Sequence, residues 1–263
     1  IPRSGWAEHE ADAVWWGDFV AVTRALLAET GLDPKRIAAV GCSAIGPDLL
    51  PVDASGRPLR KGGILYGIDT RATAEIAELE GRYGADAIFE ATGNALTSQA
   101  VGPKLLWLKR HEPEVYRRAD KFVTATTFIV ARLTGRFVID HLTASTWVPL
   151  YDLAERAWSD RFCEDIVEPE RLPEVAWATE IAGRVTAEAA AQTGLAEGTP
   201  VIVGTADAPA EAVSVGVTAP GQMMLMYGST VFMIRVTDRL VTDPRLWAVP
   251  YLFPGTWCLE AGM

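Results

Sequence analysis

Val201-Ile202-Val203-Gly204-Thr205-Ala206-Asp207 leads into a small-residue segment, then into Met223 to Tyr227 and Gly228-Ser229-Thr230. Val201 to Val203 is a short β-branched run between Pro200 and Gly204, the pattern of a buried strand. Asp207 stands where a helix rich in small residues, Ala208 to Val217, is expected to begin. A carboxylate in that place can accept a proton from a substrate hydroxyl. Met223 to Met226 reads as a second strand running into Gly228-Ser229-Thr230, whose hydroxyls and open amides can hold phosphate oxygens. Each piece also has a purely structural role open to it: an Asp after a strand caps a helix, and Gly-Ser-Thr between strands makes a turn. Their order and closeness favour the pair as the two halves of a phosphoryl transfer.

Working outward, 263 residues with 49% hydrophobic content suffice for a large core and for more than one domain. A formal net charge of -10 argues against a broad nucleic-acid or anionic-membrane surface, which needs clustered Lys and Arg. Cys42, Cys163 and Cys258 are widely spaced and form no Cys-x-x-Cys pair, so neither a disulfide framework nor a zinc site is expected, and a reducing cytoplasmic location fits best. No apolar run approaches the roughly 18 residues of a membrane span, and no signal peptide is visible. His9, His111 and His141 are too far apart to pair on one helical face, so no metal site is expected. Ile1-Pro2-Arg3 does not read as a natural start and the chain stops just after a strand-like run, so an interior stretch of a longer protein is expected.

Along the chain, Asp12 to Thr30 carries Val14, Trp15, Phe19, Val22 and Leu26 at helical spacing, with Gly31 as its stop. Strands are predicted over Ile37 to Cys42, Leu49 to Val52, Ile64 to Ile68 and Lys121 to Val123. Helices are predicted over Thr70 to Tyr83, from about Pro103, and over Thr127 to Thr134, Asp160 to Val167 and Thr186 to Thr193. Interspersed strands and helices make the class α/β. After Pro220-Gly221 the pattern changes to consecutive strands, Gln222 to Tyr227 and Val231 to Val236, which puts a domain boundary near Thr218. Gly41-Cys42-Ser43-Ala44-Ile45 lacks the second glycine of a nucleophile elbow. Neither G-x-G-x-x-G nor a Walker loop is present. Trp107 and Trp158 fit a core better than a sugar-stacking platform. Asp69-Thr70-Arg71 fits an ion pair at a strand-to-helix corner or, alternatively, a polyol contact.

Several further blocks fall in a fixed order. They are Gly5-Trp6-Ala7-Glu8-His9-Glu10, Asp53-Ala54-Ser55-Gly56-Arg57-Pro58-Leu59-Arg60, Asp69-Thr70-Arg71-Ala72, Thr92-Gly93-Asn94, Pro103 to Leu108, and Arg132-Leu133-Thr134-Gly135 with Asp140 and Ala144-Ser145. In this order the chain resembles the FGGY carbohydrate kinases over nearly its whole length. The resemblance implies an actin-like, ribonuclease-H-like fold. Residues 1–217 would be the N-terminal substrate domain without its first strands, and residues 218–263 the start of the C-terminal nucleotide domain. It implies ATP-dependent phosphorylation of a sugar or polyol, with Asp207 as general base and Gly228, Ser229 and Thr230 on the phosphate. Gly46, Pro47, Asp69, Gln99, Ala208 and Phe232 fall on or near substrate-contact positions.

The family's D-x-G-T motif, which helps place Mg2+, would lie upstream of Ile1 and the adenine pocket downstream of Met263. The stretch alone is therefore expected to be inactive, with ATP and Mg2+ implied only through the family. Expected partners are a sugar or polyol and a second copy as a homodimer, not nucleic acid or a membrane. Ile45-Gly46-Pro47 stands where xylulokinases read Gln-Met-His, Gly67 where Trp is usual, and Ala208 where they carry Asn, which makes D-xylulose doubtful as substrate. The competing expectation is a carbohydrate-binding sensor or inactive homologue that keeps the fold.

Overall fold

The computed structural model describes residues 3–228 and 231–262. The architecture is mixed α/β: short strand pairs are held between helices in the first four-fifths of the chain, followed by one larger antiparallel sheet. Local sequence accounts for many element ends. Helix Ala125–Thr134 begins where the Thr124 hydroxyl accepts from the Thr127 amide and ends at left-handed Gly135. Helix Ala187–Thr193 is capped in the same way by Thr186 and Gly194. Strand Lys121–Val123 pairs antiparallel with Leu50–Val52.

Four expectations need correction. The first helix opens as a π turn, Ala11–Trp16, before the α-helix Gly17–Thr30. A wider turn shifts the helical phase, so Trp15 and Trp16 are buried while Val22 and Leu26, on the extrapolated stripe, are 59% and 56% exposed. The strand over Ile37 to Cys42 reduces to a single parallel bridge between Val40 and Val201, with regular pairing resuming at Ser43–Ala44. The strand over Ile64 to Ile68 is displaced to Gly62–Ile64, because the Leu65 and Tyr66 carbonyls accept from the buried Lys104 ammonium at 2.7 and 2.9 Å. The helix from Asp160 is also shorter than predicted, ending at Cys163.

The later sheet runs in the order Met223–Tyr227, Val231–Thr237, Trp257–Gly262, Trp247–Pro250, all neighbours antiparallel. Its inner face packs Met224, Ile234, Val236 and Val249 against Ala212 of helix Asp207–Ser214 and against Leu142. Asn94 adds a polar latch. Its Nδ2 donates to the Ala248 carbonyl and its Oδ1 accepts from the Ala248 amide, both at 3.0 Å and buried. The loop after helix Ala85–Thr92 is thereby tied to strand Trp247–Pro250. Asn94→Ala strands two buried backbone groups, so a stability loss of about 3 kcal/mol is expected in urea unfolding. A loss below about 1 kcal/mol would show that the latch is not needed.

Candidate functional site

Strand Thr205–Ala206 pairs parallel with Ser43–Ala44, and this pairing builds the site. Gly204 makes it possible: its φ is +74° and a Cβ there would lie 2.2 Å from the Cys42 carbonyl oxygen, so no other residue fits the bend. Thr205 is then fixed at two points. Its carbonyl accepts from Thr126 Oγ1 and its hydroxyl donates to Asp140 Oδ2, both at 2.9 Å. Asp207 follows as the first residue of its helix, beside the Ile45-Gly46-Pro47 turn.

Asp207 is not the helix N-cap; that place belongs to Ala206, which offers no side-chain bond. The carboxylate instead accepts from the Ala208 amide at 2.9 Å and is exposed at the helix start. Desolvation by the surrounding walls raises its pKa above the usual carboxylate value, partly offset by the Ala208 amide. A carboxylate that holds a proton better than an ordinary Asp, without being sealed from a ligand, is suited to general-base work.

Next to Asp207 lies a partly open cleft of about 100 Å³; Asp207 is not among its lining residues, but its neighbours Ala206 and Ala208 are. Of the sequence-predicted contacts, Gly46, Pro47, Gln99, Ala208 and Phe232 line it. Gln99 is held in place by Gly67, whose amide donates to Oε1 at 2.9 Å; a Cβ on Gly67 would sit 2.9 Å from the Gln99 carboxamide carbon. The missing Trp at 67 and the Gln at 99 are thus sterically linked. Gly228 follows strand Met223–Tyr227 and is exposed, whereas Ser229 and Thr230 lie outside the described residues.

Asp69 is not among the cleft's lining residues. Its Oδ2 accepts from the Ala7 amide at 2.7 Å and Arg71 Nη2 at 2.6 Å, and its Oδ1 accepts from Arg71 Nε at 2.8 Å. The Asp69 and Arg71 side chains are both fully buried. Arg71 also reaches Glu8 at 2.8 Å, and its guanidinium lies 3.9 Å from the centre of the Trp6 ring. Of the two roles open to Asp69-Thr70-Arg71 in the sequence, these contacts supply the corner ion pair. Trp107 is buried in the core and Trp158 packs against it.

Among the further residues that the structure brings to the cleft are Glu260 and Thr143. Glu260 sits on strand Trp257–Gly262, opposite Ile234 on one side and Trp247 on the other. It therefore shares the sheet's inner face with apolar side chains. Its alternation with Cys258 in Trp257-Cys258-Leu259-Glu260 is the period-2 signal that could have located it. Burial pushes its carboxyl pKa up to about 7, with smaller upward contributions from Asp140 and Asp207 and a lowering one from the Cys258 thiol. Thr143 belongs to the helix His141–Ser145, capped by Asp140, which accepts from the Thr143 amide at 3.2 Å. Burial likewise raises the Asp140 pKa to about 6.

A carboxyl whose pKa is higher folded than unfolded stabilises the fold fully below its unfolded value, near 4.5 for Glu260, and loses that contribution as pH rises through about 7. The Glu260 contribution is up to about 3 kcal/mol. Glu260→Gln is therefore expected to gain stability over the parent between pH 5 and 8, as read by urea unfolding at both pH values. An unchanged difference across that range would contradict the placement of Glu260. Asp140 acts with the same sign at lower pH. His141 opposes both, because burial lowers its pKa to about 4 and stability falls as it protonates.

The FGGY family of carbohydrate kinases, N-terminal domain, matches residues 1–214. The chain is 30% identical to xylulose kinase of Escherichia coli strain K12 over 267 residues, covering all of this chain and 53% of that protein. It is 30% identical to glycerol kinase of Nocardia farcinica, covering 89% of this chain and 46% of that one. The crystal structure of xylulose kinase from Rhodospirillum rubrum superposes with a TM-score of 0.93 at 32% identity, over all of this chain and 53% of that one. The chain thus spans about half the length of the curated relatives it matches. No helix among the described residues is long and apolar enough to cross a membrane.

Proposed function

The chain belongs to the FGGY family of carbohydrate kinases, and from that premise we propose that it forms the acceptor side of an ATP-dependent phosphorylation of a sugar or polyol hydroxyl, with Asp207 as general base. The observation that carries this is the placement of Asp207, with a raised pKa, between the cleft-lining residues Ala206 and Ala208. In the step, the acceptor hydroxyl passes its proton to the Asp207 carboxylate, its oxygen bonds to the γ-phosphorus of ATP, and the bond to ADP breaks. Gly228, Ser229 and Thr230 serve the transferred phosphate, and Gly46, Pro47, Gln99, Ala208 and Phe232 shape the acceptor pocket.

We infer further that residues 1–217 form the substrate domain and that residues 218–263 open the nucleotide domain, so the two halves of the site meet when the cleft closes. Mg2+ is implied by the family. Among the described residues no group of three or more His, Cys, Asp or Glu is placed to hold a metal ion. ATP turnover measured against pentuloses, hexonates and linear polyols tests the proposal: acceptor-dependent ADP release supports it. Binding of an acceptor with no turnover by the full-length protein would favour the sensor alternative.

A further inference from the structure

The walls of the cleft are apolar over most of their extent, with Pro47, Ala100, Ala208, Phe232, Trp247 and Val249 facing it. Several polar side chains on the lining are committed to the protein itself, while the exposed Thr97 hydroxyl, which accepts from the Gln99 amide, and Gln99 Nε2 keep donors free. Asn94 is bonded to Ala248, Gln99 Oε1 accepts from Gly67, and Thr146 Oγ1 donates to the Thr143 carbonyl at 2.6 Å. Thr143 and Glu260 differ. Thr143 is 3% exposed; its hydroxyl, although close enough to Asp140 to influence that carboxyl, has no partner at hydrogen-bonding geometry. Glu260, 7% exposed, has one bond, from the Cys258 thiol at 3.8 Å, and a thiol is a weak donor. A buried hydroxyl left unpaired is unfavourable, and a ligand hydroxyl between these two groups removes that cost.

Resting on the reading of the cleft as the acceptor site, we propose that Glu260 and Thr143 form a buried hydroxyl-reading end of a mostly apolar pocket. The pocket thereby selects a deoxy or C-methylated polyol over its fully hydroxylated counterpart. The chemistry follows from what each wall can offer. A ligand hydroxyl turned toward Phe232 and Trp247, whose rings stack at 6.3 Å, gives up water and finds no partner. A methyl group in the same place gains from burial. At the other end, the Glu260 carboxyl accepts from a ligand hydroxyl, and the Thr143 hydroxyl donates to it. Ala208 strengthens the same bias, because the side chain that follows the base has no polar atom.

The test uses 1-deoxy-D-xylulose and D-xylulose, which differ by one hydroxyl, titrated calorimetrically into the chain without ATP. The deoxy sugar is expected to bind at least about tenfold tighter, and Glu260→Gln and Thr143→Val to weaken it by about fivefold or more each. Thr143→Val removes a hydroxyl that has no partner, so its thermal midpoint should stay level or rise, and lost affinity is then not misfolding. Equal or tighter binding of D-xylulose, no binding of either sugar, or unchanged affinity in both variants would overturn the proposal. Phosphorylation of D-xylulose at least as efficient as that of the deoxy sugar would leave the kinase reading standing and sink this one. Selective binding of the deoxy sugar without ATP turnover by the full-length protein would do the reverse.

Discussion

In the full-length protein, Asp207→Asn is expected to lower acceptor-dependent ATP turnover by about 10²- to 10⁴-fold while leaving acceptor affinity within about threefold. The amide keeps the shape of the carboxylate and can still accept from the Ala208 amide, so the start of helix Asp207–Ser214 should survive. What it loses is affinity for a proton at the moment the acceptor oxygen attacks phosphorus. The fall should therefore appear in kcat rather than in KM. Stopped-time ADP release with saturating acceptor, paired with acceptor titration, separates the two. Turnover within about threefold of the parent would remove Asp207 from the mechanism and restore it to a plain helix start.

Asp69→Ala is expected to cost about 3–5 kcal/mol of stability, because it leaves a fully buried guanidinium facing an empty site. Arg71 would retain Glu8 at 2.8 Å and the Trp6 ring, but all three of its hydrogen bonds to the Asp69 carboxylate and the Ala7 amide's acceptor would be gone. Asp69→Ala combined with Arg71→Met should recover much of the loss, since the unpaired charge is then removed as well. Urea unfolding of both variants measures this. A single-variant loss below about 1 kcal/mol, with acceptor affinity reduced, would instead return Asp69 to the substrate.

Much of the site's framework was legible in one dimension. The β-branched run before Gly204, the small-residue helix after Asp207 and the hairpin after Pro220-Gly221 follow from local rules, and each element is present. The departures have a common cause in contacts between distant segments. Lys104 draws the carbonyls after Ile64 out of strand pairing from 38 and 39 residues away in sequence. The π turn at Ala11–Trp16 resets a helical phase that periodicity assumes to be constant. Glu260 escaped notice because a carboxylate in a strand reads as solvent-facing unless its neighbours across the sheet, Ile234 and Trp247, are known.

Family membership and the position of the acidic residue after the strand follow from the chain read in one dimension, because both rest on ordered local motifs whose chemistry is intrinsic to the residues. Which carboxylates stand at the cleft emerges only in three dimensions. Asp69, Asp140, Asp207 and Glu260 are alike as residue types, but Asp69 is consumed by Arg71, Asp140 by a helix start and Thr205, and Glu260 is turned inward by its strand. Burial and partners, which separate these four roles, arise only when segments as far apart as Ser43–Ala44 and Thr205–Ala206 are brought side by side.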